Sequence, residues 1–429
     1  MPRIARESLP WALAALAGCA LLAWLGLESY VWSDYESEAL PAFSALAHGH
    51  FSDFLRFAPA YGGSFVERAP FALLPSLWGG GALAVYRAVA VPCLLAAALL
   101  GLWLIARMHA ERRPLFARGL ALAVCVLNPL TLRALELGHP EELLGACLCV
   151  AAVLLACAER PVWAGLALGL AIANKEWALL AAGPVLLALP VGKRALGAAC
   201  AATATALVLA PLVLAGGSFS AGLRASAAPP AAIFHPWQLW WFFGHHEPFT
   251  HDAAAPGALA YGYRLGPSWA ATISHPLILA VGVVLPLALW LRERRPPRIA
   301  PRAALLLLAL LLLLRCLLDT WDIAYYPLPF VLALLTWEVR GPLRRPPVLS
   351  AGASVLAYVS FIWLPQHASA DFQAGFFLAW TLPLALALGA HLFAPRLLNR
   401  SPGRDSDGVD RRAAQETTVS AFSRPLSTS

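Results

Sequence analysis

Charge is scarce in this chain: Asp, Glu, Lys and Arg together make up 13% of its 429 residues, about half their usual share of a soluble domain. An ordinary water-soluble fold is excluded on that ground. Lysine is rarer still, with Lys175 and Lys193 the only two among 31 basic residues. The arginines are scattered through short loops and build no basic-aromatic stripe, so the net charge of +7 is not read as nucleic-acid binding. Also missing are a GxGxxG turn after a strand and a phosphate-binding P-loop, which argues against a soluble nucleotide as donor or fuel. The eight cysteines (Cys19, Cys93, Cys125, Cys147, Cys149, Cys157, Cys200 and Cys316) all fall inside apolar runs, where a thiol behaves as a small hydrophobe. Cys147 and Cys149 lack the spacing of a common zinc or redox pair, so neither a disulfide framework nor a cysteine metal site is expected.

What is present is apolar: 60% of the residues are hydrophobic. A bilayer core of ~30 Å needs about 20 such residues per helix. Segments approaching that length predict helices near 10–27, 86–106, 115–132, 143–158, 161–174, 177–191, 195–214, 272–291, 303–318, 324–339, 347–364 and 374–394. The expected fold is therefore all-α, a polytopic transmembrane bundle of about 12 helices with long extracytoplasmic loops. Residues 1–394 would form the membrane domain. Residues 395–429, rich in Ser, Arg and Asp, read as a disordered cytoplasmic tail.

Arg3 and Arg6 before the run Pro10 to Leu27 resemble a secretory signal, but Glu28-Ser29-Tyr30 offers no small-x-small cleavage site, so an uncleaved first helix is expected. Arg107, Arg112, Arg113 and Arg118, then Arg292, Arg294, Arg295, Arg298 and Arg302, then Arg340, Arg344 and Arg345 mark cytoplasmic turns by the positive-inside rule. Both termini are expected in the cytoplasm of a multi-pass cell-membrane protein, with the active face outside.

The run Pro161 to Asn174 has only 14 residues, and at 1.5 Å per residue it reaches ~21 Å, short of a full span. Lys175 and Glu176 would then sit below the outer surface, between two short spans or at the tip of a re-entrant hairpin. Locally Lys175 could pair with its neighbour. Functionally, an ionisable group at that depth usually faces a cavity. Two external stretches, 28–85 and 215–271, are too long for simple turns, and long loops are where function concentrates. The second carries Ile233-Phe234-His235-Pro236-Trp237-Gln238-Leu239-Trp240-Trp241-Phe242-Phe243, whose minimal reading is an interfacial, lipid-facing segment.

Ionisable residues collect at the outer helix ends and loops, among them Asp34, Arg68, His139, Glu141, Lys175, Arg315 and Asp322. A transporter or flippase for a lipid-linked saccharide, the alternative, would be expected to bury charge near mid-span or to repeat broken helices. Asp34 lies seven residues past the first helix and could accept a proton from a substrate hydroxyl. The structural alternative is a helix start, because Ser33 and Glu36 have capping-box spacing. Arg315 could pair with Asp319 one helical turn on. Asp322 and Tyr326 lack so obvious a local partner and are acceptor-binding candidates together with Glu141.

Three features together resemble the C-type glycosyltransferases that use polyprenyl-phosphate sugars, in particular the family 87 α-mannosyltransferase-like proteins. They are Asp34 just outside the first helix, Gly138-His139-Pro140-Glu141-Glu142 opening a later one, and the Gly-Leu-Ala-rich helix Ala164 to Asn174 ending in Lys175. The resemblance covers roughly residues 10–340. It implies a hexosyltransferase with a polyprenyl-phosphate-linked sugar, mannose in the first instance, as donor and a glycolipid or polysaccharide of the cell envelope as acceptor, working among membrane lipids. Asp34 would be the catalytic base. Arg68, His139, Lys175 and Arg315 are the candidates for the donor phosphate, arginine offering bidentate contact and lysine a point charge. Asp34-Tyr35-Glu36 looks like the acidic pair with which some enzymes of this type hold a divalent metal, but so short a spacing is common by chance, and neither a metal nor another cofactor is favoured.

Overall fold

All twelve apolar segments are helical in the computed structural model, which describes residues 2–29, 33–227, 233–245, 264–341 and 345–394. Eight helical stretches are long and apolar enough to cross a membrane. They are α1 (Pro2–Gly26, apolar from Leu9), α5 (Ala82–Ala110), the pair α6 (Leu115–Val126) and α7 (Pro129–Leu137), α11 (Val191–Ala215), α13 (Ser268–Arg292), α14 (Pro301–Leu318), the stretch begun by α16 (Val348–Tyr358), and α17 (Ala370–Phe393). The remaining segments are shorter: α8 (Glu141–Cys157), α9 (Pro161–Asn174), the 3₁₀ turn Glu176–Ala181 with α10 (Ala182–Ala188), and α15 (Leu328–Val339). The count of about 12 full spans thus becomes eight long helices plus shorter ones. The residues from 395 on lie outside the described part of the chain.

Burial sorts these helices into a core and a rim. The apolar stretch of α14 is 78% buried, against 17% for α11 and α13, so the rim helices turn side chains such as Leu207, Leu214 and Val283 outward. In lipid such surfaces carry no hydrophobic penalty, and helices associate through close packing instead. Gly165 and Gly169 on α9 supply it. A Cβ at Gly165 would lie 2.3 Å from the Gly197 carbonyl oxygen of α11, and one at Gly169 would lie 2.4 Å from that of Ala201. Thr205 of α11 donates a 3.0 Å hydrogen bond to the Gly169 carbonyl. Replacing both glycines by Val should force the helices apart at a cost of about 1–3 kcal/mol. The thermal midpoint in detergent should fall accordingly, and an unchanged midpoint would show that this contact is not under constraint.

The first long loop is not unstructured. It folds as a π-helical turn Tyr35–Ala39, then α2 (Leu40–Ala47), α3 (Phe51–Phe57) and α4 (Gly63–Ala72). Gly49, with φ +79°, closes α2 in the left-handed conformation. Phe43, Phe54 and Phe65 pack between these short helices, fully buried. In the second long loop α12 (Ser218–Ala227) precedes the only paired strands among the described residues, β1 (Ile233–Phe234) and β2 (Arg264–Leu265). At the opposite end of the bundle, Arg298 and Lys193 both pair with Glu159.

Candidate functional site

Two backbone devices bring Asp34 to His139. Asn128 caps α7 by accepting a 2.9 Å hydrogen bond from the Leu130 amide, and Pro129 at the first position has no amide to waste. Gly138 then ends α7 with φ +91°. Its α-carbon packs so close to the first loop that a Cβ there would lie 2.5 Å from the Tyr35 nitrogen. The residues either side of this contact meet: His139 Nε2 lies 3.0 Å from Asp34 Oδ2. Asp34 stands at the N-terminus of the turn 35–39 without a side-chain capping bond, so its carboxylate is directed to histidine rather than spent on starting a helix.

Behind His139 stands Glu141, whose side chain is wholly buried at the start of α8. Its carboxylate gathers three basic groups: His139 Nδ1 at 2.8 Å, Lys175 Nζ at 3.3 Å and Arg68 Nη2 at 3.3 Å. Asn174 donates to the Glu141 carbonyl at 2.9 Å, which fixes the end of α9 against the start of α8. Lys175 also lies 3.2 Å from Glu142 and 4.2 Å above the Tyr61 ring. Its partners are therefore two acids of another helix, and not the neighbouring Glu176 considered from sequence. Arg68 is held by Ser64, with Nε donating to the carbonyl at 3.0 Å and Nη2 to the hydroxyl at 3.1 Å.

Three carboxylates, Asp34, Glu141 and Glu142, thus face the two permanent cations Arg68 and Lys175, and protonated His139 would balance the set. Burial opposes a charge on His139, but the Glu141 carboxylate and the hydrogen bonds to Asp34 and Glu141 prevail, raising its pKa above the ordinary 6.5. The folded protein therefore holds this proton more tightly than the unfolded chain. Its contribution to stability is complete below about pH 6.5 and is lost as pH rises through the raised value. The thermal midpoint should fall across that interval on the alkaline side of 6.5, and His139→Asn should remove that part of the pH dependence. An identical pH profile in the variant would show that His139 does not carry the proton.

In front of this network a cavity of about 600 Å³ opens, lined by Asp34, His139, Lys175 and Tyr326 of the sequence-derived set. The other four do not line it. Arg68 and Glu141 lie behind the wall, and Asp322 and Arg315 are likewise buried. Arg315 does not form the expected pair with Asp319, which accepts from the Trp321 amide at 3.0 Å and lies 3.8 Å from His275. Its guanidinium instead sits over the rings of Tyr326 at 4.1 Å and Trp177 at 5.1 Å. Asp322 forms no ion pair among the described residues, and burial, with Asp319 nearby, pushes its carboxyl well above the usual range.

Several lining groups fall outside the sequence-derived set. Tyr61 donates to Glu38 at 2.5 Å, and both line the cavity together with Arg133, His235, Trp237, Trp321 and Tyr325. The aromatic run 233–243 is not simply lipid-facing: Trp237, Trp240 and Trp241 are buried while Phe242 and Phe243 are exposed. Trp237 packs on Phe361 with ring centroids 4.7 Å apart, and Trp240 Nε1 donates to the Leu318 carbonyl at 2.7 Å. The available signal was the density of tryptophan next to histidine, which suits a wall for a polyhydroxylated ligand as well as it suits a headgroup layer. His245, His246, Glu247, His251 and Asp252 form the other possible ligand cluster in the sequence, and of these only His245 is described, residues 246–263 lying outside the described part. Among the described residues no three His, Cys, Asp or Glu gather at metal-binding spacing, and Glu36 does not line the cavity beside Asp34.

Compared with known families, the chain matches the model of glycosyltransferase family 87 over residues 63–317, more than half of its length. That stretch includes Arg68, His139, Glu141, Lys175 and Arg315, while Asp34 precedes it and Asp322 and Tyr326 follow it. No curated protein matches the sequence.

Proposed function

This chain belongs to glycosyltransferase family 87 and is a membrane glycosyltransferase, and we propose that it transfers a hexose, mannose in the first instance, from a polyprenyl-phosphate donor to a glycolipid or polysaccharide acceptor on the outer face of the cell membrane. The observation that carries this reading is a half-exposed carboxylate, Asp34, at the mouth of a cavity whose other walls hold Lys175, Arg133 and a set of aromatic rings. A base, cations for a leaving phosphate and flat apolar surfaces for a sugar are what such a transfer requires. All lie at one end of a bundle whose lipid-facing helices can accommodate a polyprenyl tail.

In the proposed reaction Asp34 takes the proton of the acceptor hydroxyl as its oxygen attacks the anomeric carbon. The new glycosidic bond forms as the bond from that carbon to the phosphate oxygen breaks. The electron pair leaves with the polyprenyl phosphate, and the anomeric carbon is inverted. Lys175 and Arg133 are the cations placed to meet the phosphate at the cavity surface. Arg68 and Arg315 support the wall from behind, the first through Glu141 and the second beneath Tyr326. His139, bonded to the base on one side and to Glu141 on the other, orients the Asp34 carboxylate. Tyr326 and the aromatic wall receive the acceptor sugar.

The test is reconstitution of the purified protein in liposomes with radiolabelled polyprenyl-phosphate mannose, polyprenyl-phosphate glucose or a nucleotide sugar, and native envelope lipids as acceptor. Label should pass to the acceptor from a polyprenyl-phosphate hexose only. Transfer from the nucleotide sugar in the absence of any polyprenyl carrier would overturn the donor assignment.

A further inference from the structure

Away from Asp34, where α5 and α15 end and α14 begins at the other side of the bundle, a polar basin of about 780 Å³ is lined by Arg112, Arg113, Arg302 and Arg340, with Glu111 as its acid among the described residues. Glu111 is already engaged, 2.9 Å from Arg107 and 2.8 Å from Arg113. The basin therefore keeps a clear excess of positive charge. Arg113 is only 3% exposed. It spends Nη2 on the carbonyls of Val339 at 2.5 Å and Gly341 at 2.8 Å, while its buried Nη1 has no hydrogen-bond partner. Nε of Arg302 is likewise buried without a partner. A Cβ at Gly341 would lie 3.2 Å from Arg302 Nη2, so the two guanidinium groups converge on the same short turn. Both donors are enclosed, so Arg113 braces the basin from within, and the exposed Arg112 with the half-buried Arg302 and Arg340 present its positive charge.

A second cavity shares Arg340 with this basin. It holds about 590 Å³ and runs up the outside of the bundle between α5 and α8, walled by Leu99, Trp103, Leu148, Ala151 and Leu155. A volume of this order lies within the range of ~300–1,000 Å³ typical of ligand sites. A basic basin joined to an apolar groove that opens on the lipid side has the two-part chemistry of an amphiphile: phosphate at one end, hydrocarbon at the other. Basic pockets between transmembrane helices hold anionic headgroups in this way.

We propose that this is a binding site for an anionic glycerophospholipid of the bilayer, its phosphate on Arg112, Arg302 and Arg340 and one acyl chain in the groove between α5 and α8. The site faces away from Asp34, so it is separate from donor and acceptor binding. A lipid held there fastens the end of α15 to the turn after α5.

The protein is purified in detergent, exposed to equimolar phosphatidylglycerol and phosphatidylcholine, and the retained lipids are counted by native mass spectrometry. One phosphatidylglycerol should be retained in preference to phosphatidylcholine. Arg340→Gln should weaken that preference roughly five-fold, the equivalent of one basic residue at a lipid surface. Ala151→Trp, which fills the groove and leaves the basin intact, should abolish acyl-chain retention. A thermal midpoint measured on each variant separates lost binding from lost folding. Equal retention of the two lipids, a preference untouched by both variants, displacement by millimolar glycerol phosphate alone, or stronger retention of polyprenyl phosphate would each overturn the proposal.

Discussion

Replacement of Asp34 by Asn is expected to lower sugar transfer by about 10²–10⁴-fold, the usual contribution of a positioned general base, with little change in thermal midpoint. The side chain of Asp34 is 48% exposed and lies 3.0 Å from His139 Nε2. An amide oxygen can still accept that hydrogen bond, and a half-exposed polar substitution of this kind normally stays within about 0.5 kcal/mol. The loss therefore falls on proton acceptance alone: kcat should collapse while KM for the polyprenyl-phosphate donor holds, because Lys175, Arg133 and the aromatic wall are untouched. Transfer is measured with matched amounts of wild type and variant in the same membranes. Equal rates would remove Asp34 as base and turn attention to Glu38, the neighbouring carboxylate that lines the same cavity.

The second large effect concerns stability rather than chemistry. Glu141 is fully buried and is shared by His139, Lys175 and Arg68, so Glu141→Gln leaves Arg68 and Lys175 short of a counter-charge inside the protein. Removing one partner of a buried ion pair typically costs about 3–5 kcal/mol, far more than the pair itself is worth against an apolar substitute. A marked fall in thermal midpoint is expected. Arg68→Met in the same chain should recover part of it, since the orphaned guanidinium then disappears. The result also decides between two roles for Glu141. Contact with the acceptor predicts a raised KM at unchanged stability, whereas the burial and the three basic partners predict the reverse. A variant with wild-type midpoint would set aside the ion network as the support of the cavity wall.

Apolar run length and the scarcity of charge made the helical membrane class readable from the residues, because every backbone group in lipid must find its partner within its own segment. For the same reason the twelve helical segments could be located, although α1 begins at Pro2 and the run 115–132 is divided between α6 and α7. How many of them cross completely could not be read, since α9 and α15 are shorter than a full span yet sit packed within the bundle: Gly165 and Gly169 let α9 press against α11, and α15 is enclosed by other helices on nearly every side. The first loop showed the same limit. Its length was legible, but α3 and α4, the second of which carries Arg68 inward, were not.

The chemistry-bearing residue types were also readable, since ionisable side chains in so apolar a chain stand out one by one. Their pairings were not. Lys175 next to Glu176, and Arg315 one turn before Asp319, look like local pairs, yet Lys175 binds Glu141 and Glu142 across helices and Arg315 lies on aromatic rings. Short sequence spacing fixes which groups can meet within one helix, but burial decides which meetings are worth their desolvation, and burial is a property of the assembled bundle. The meeting of Asp34 with His139 is the clearest case. Residue order determined that a carboxylate follows the first helix and that a histidine precedes α8. Only the close approach of Gly138 to Tyr35, which no side chain would permit, put the two on one cavity.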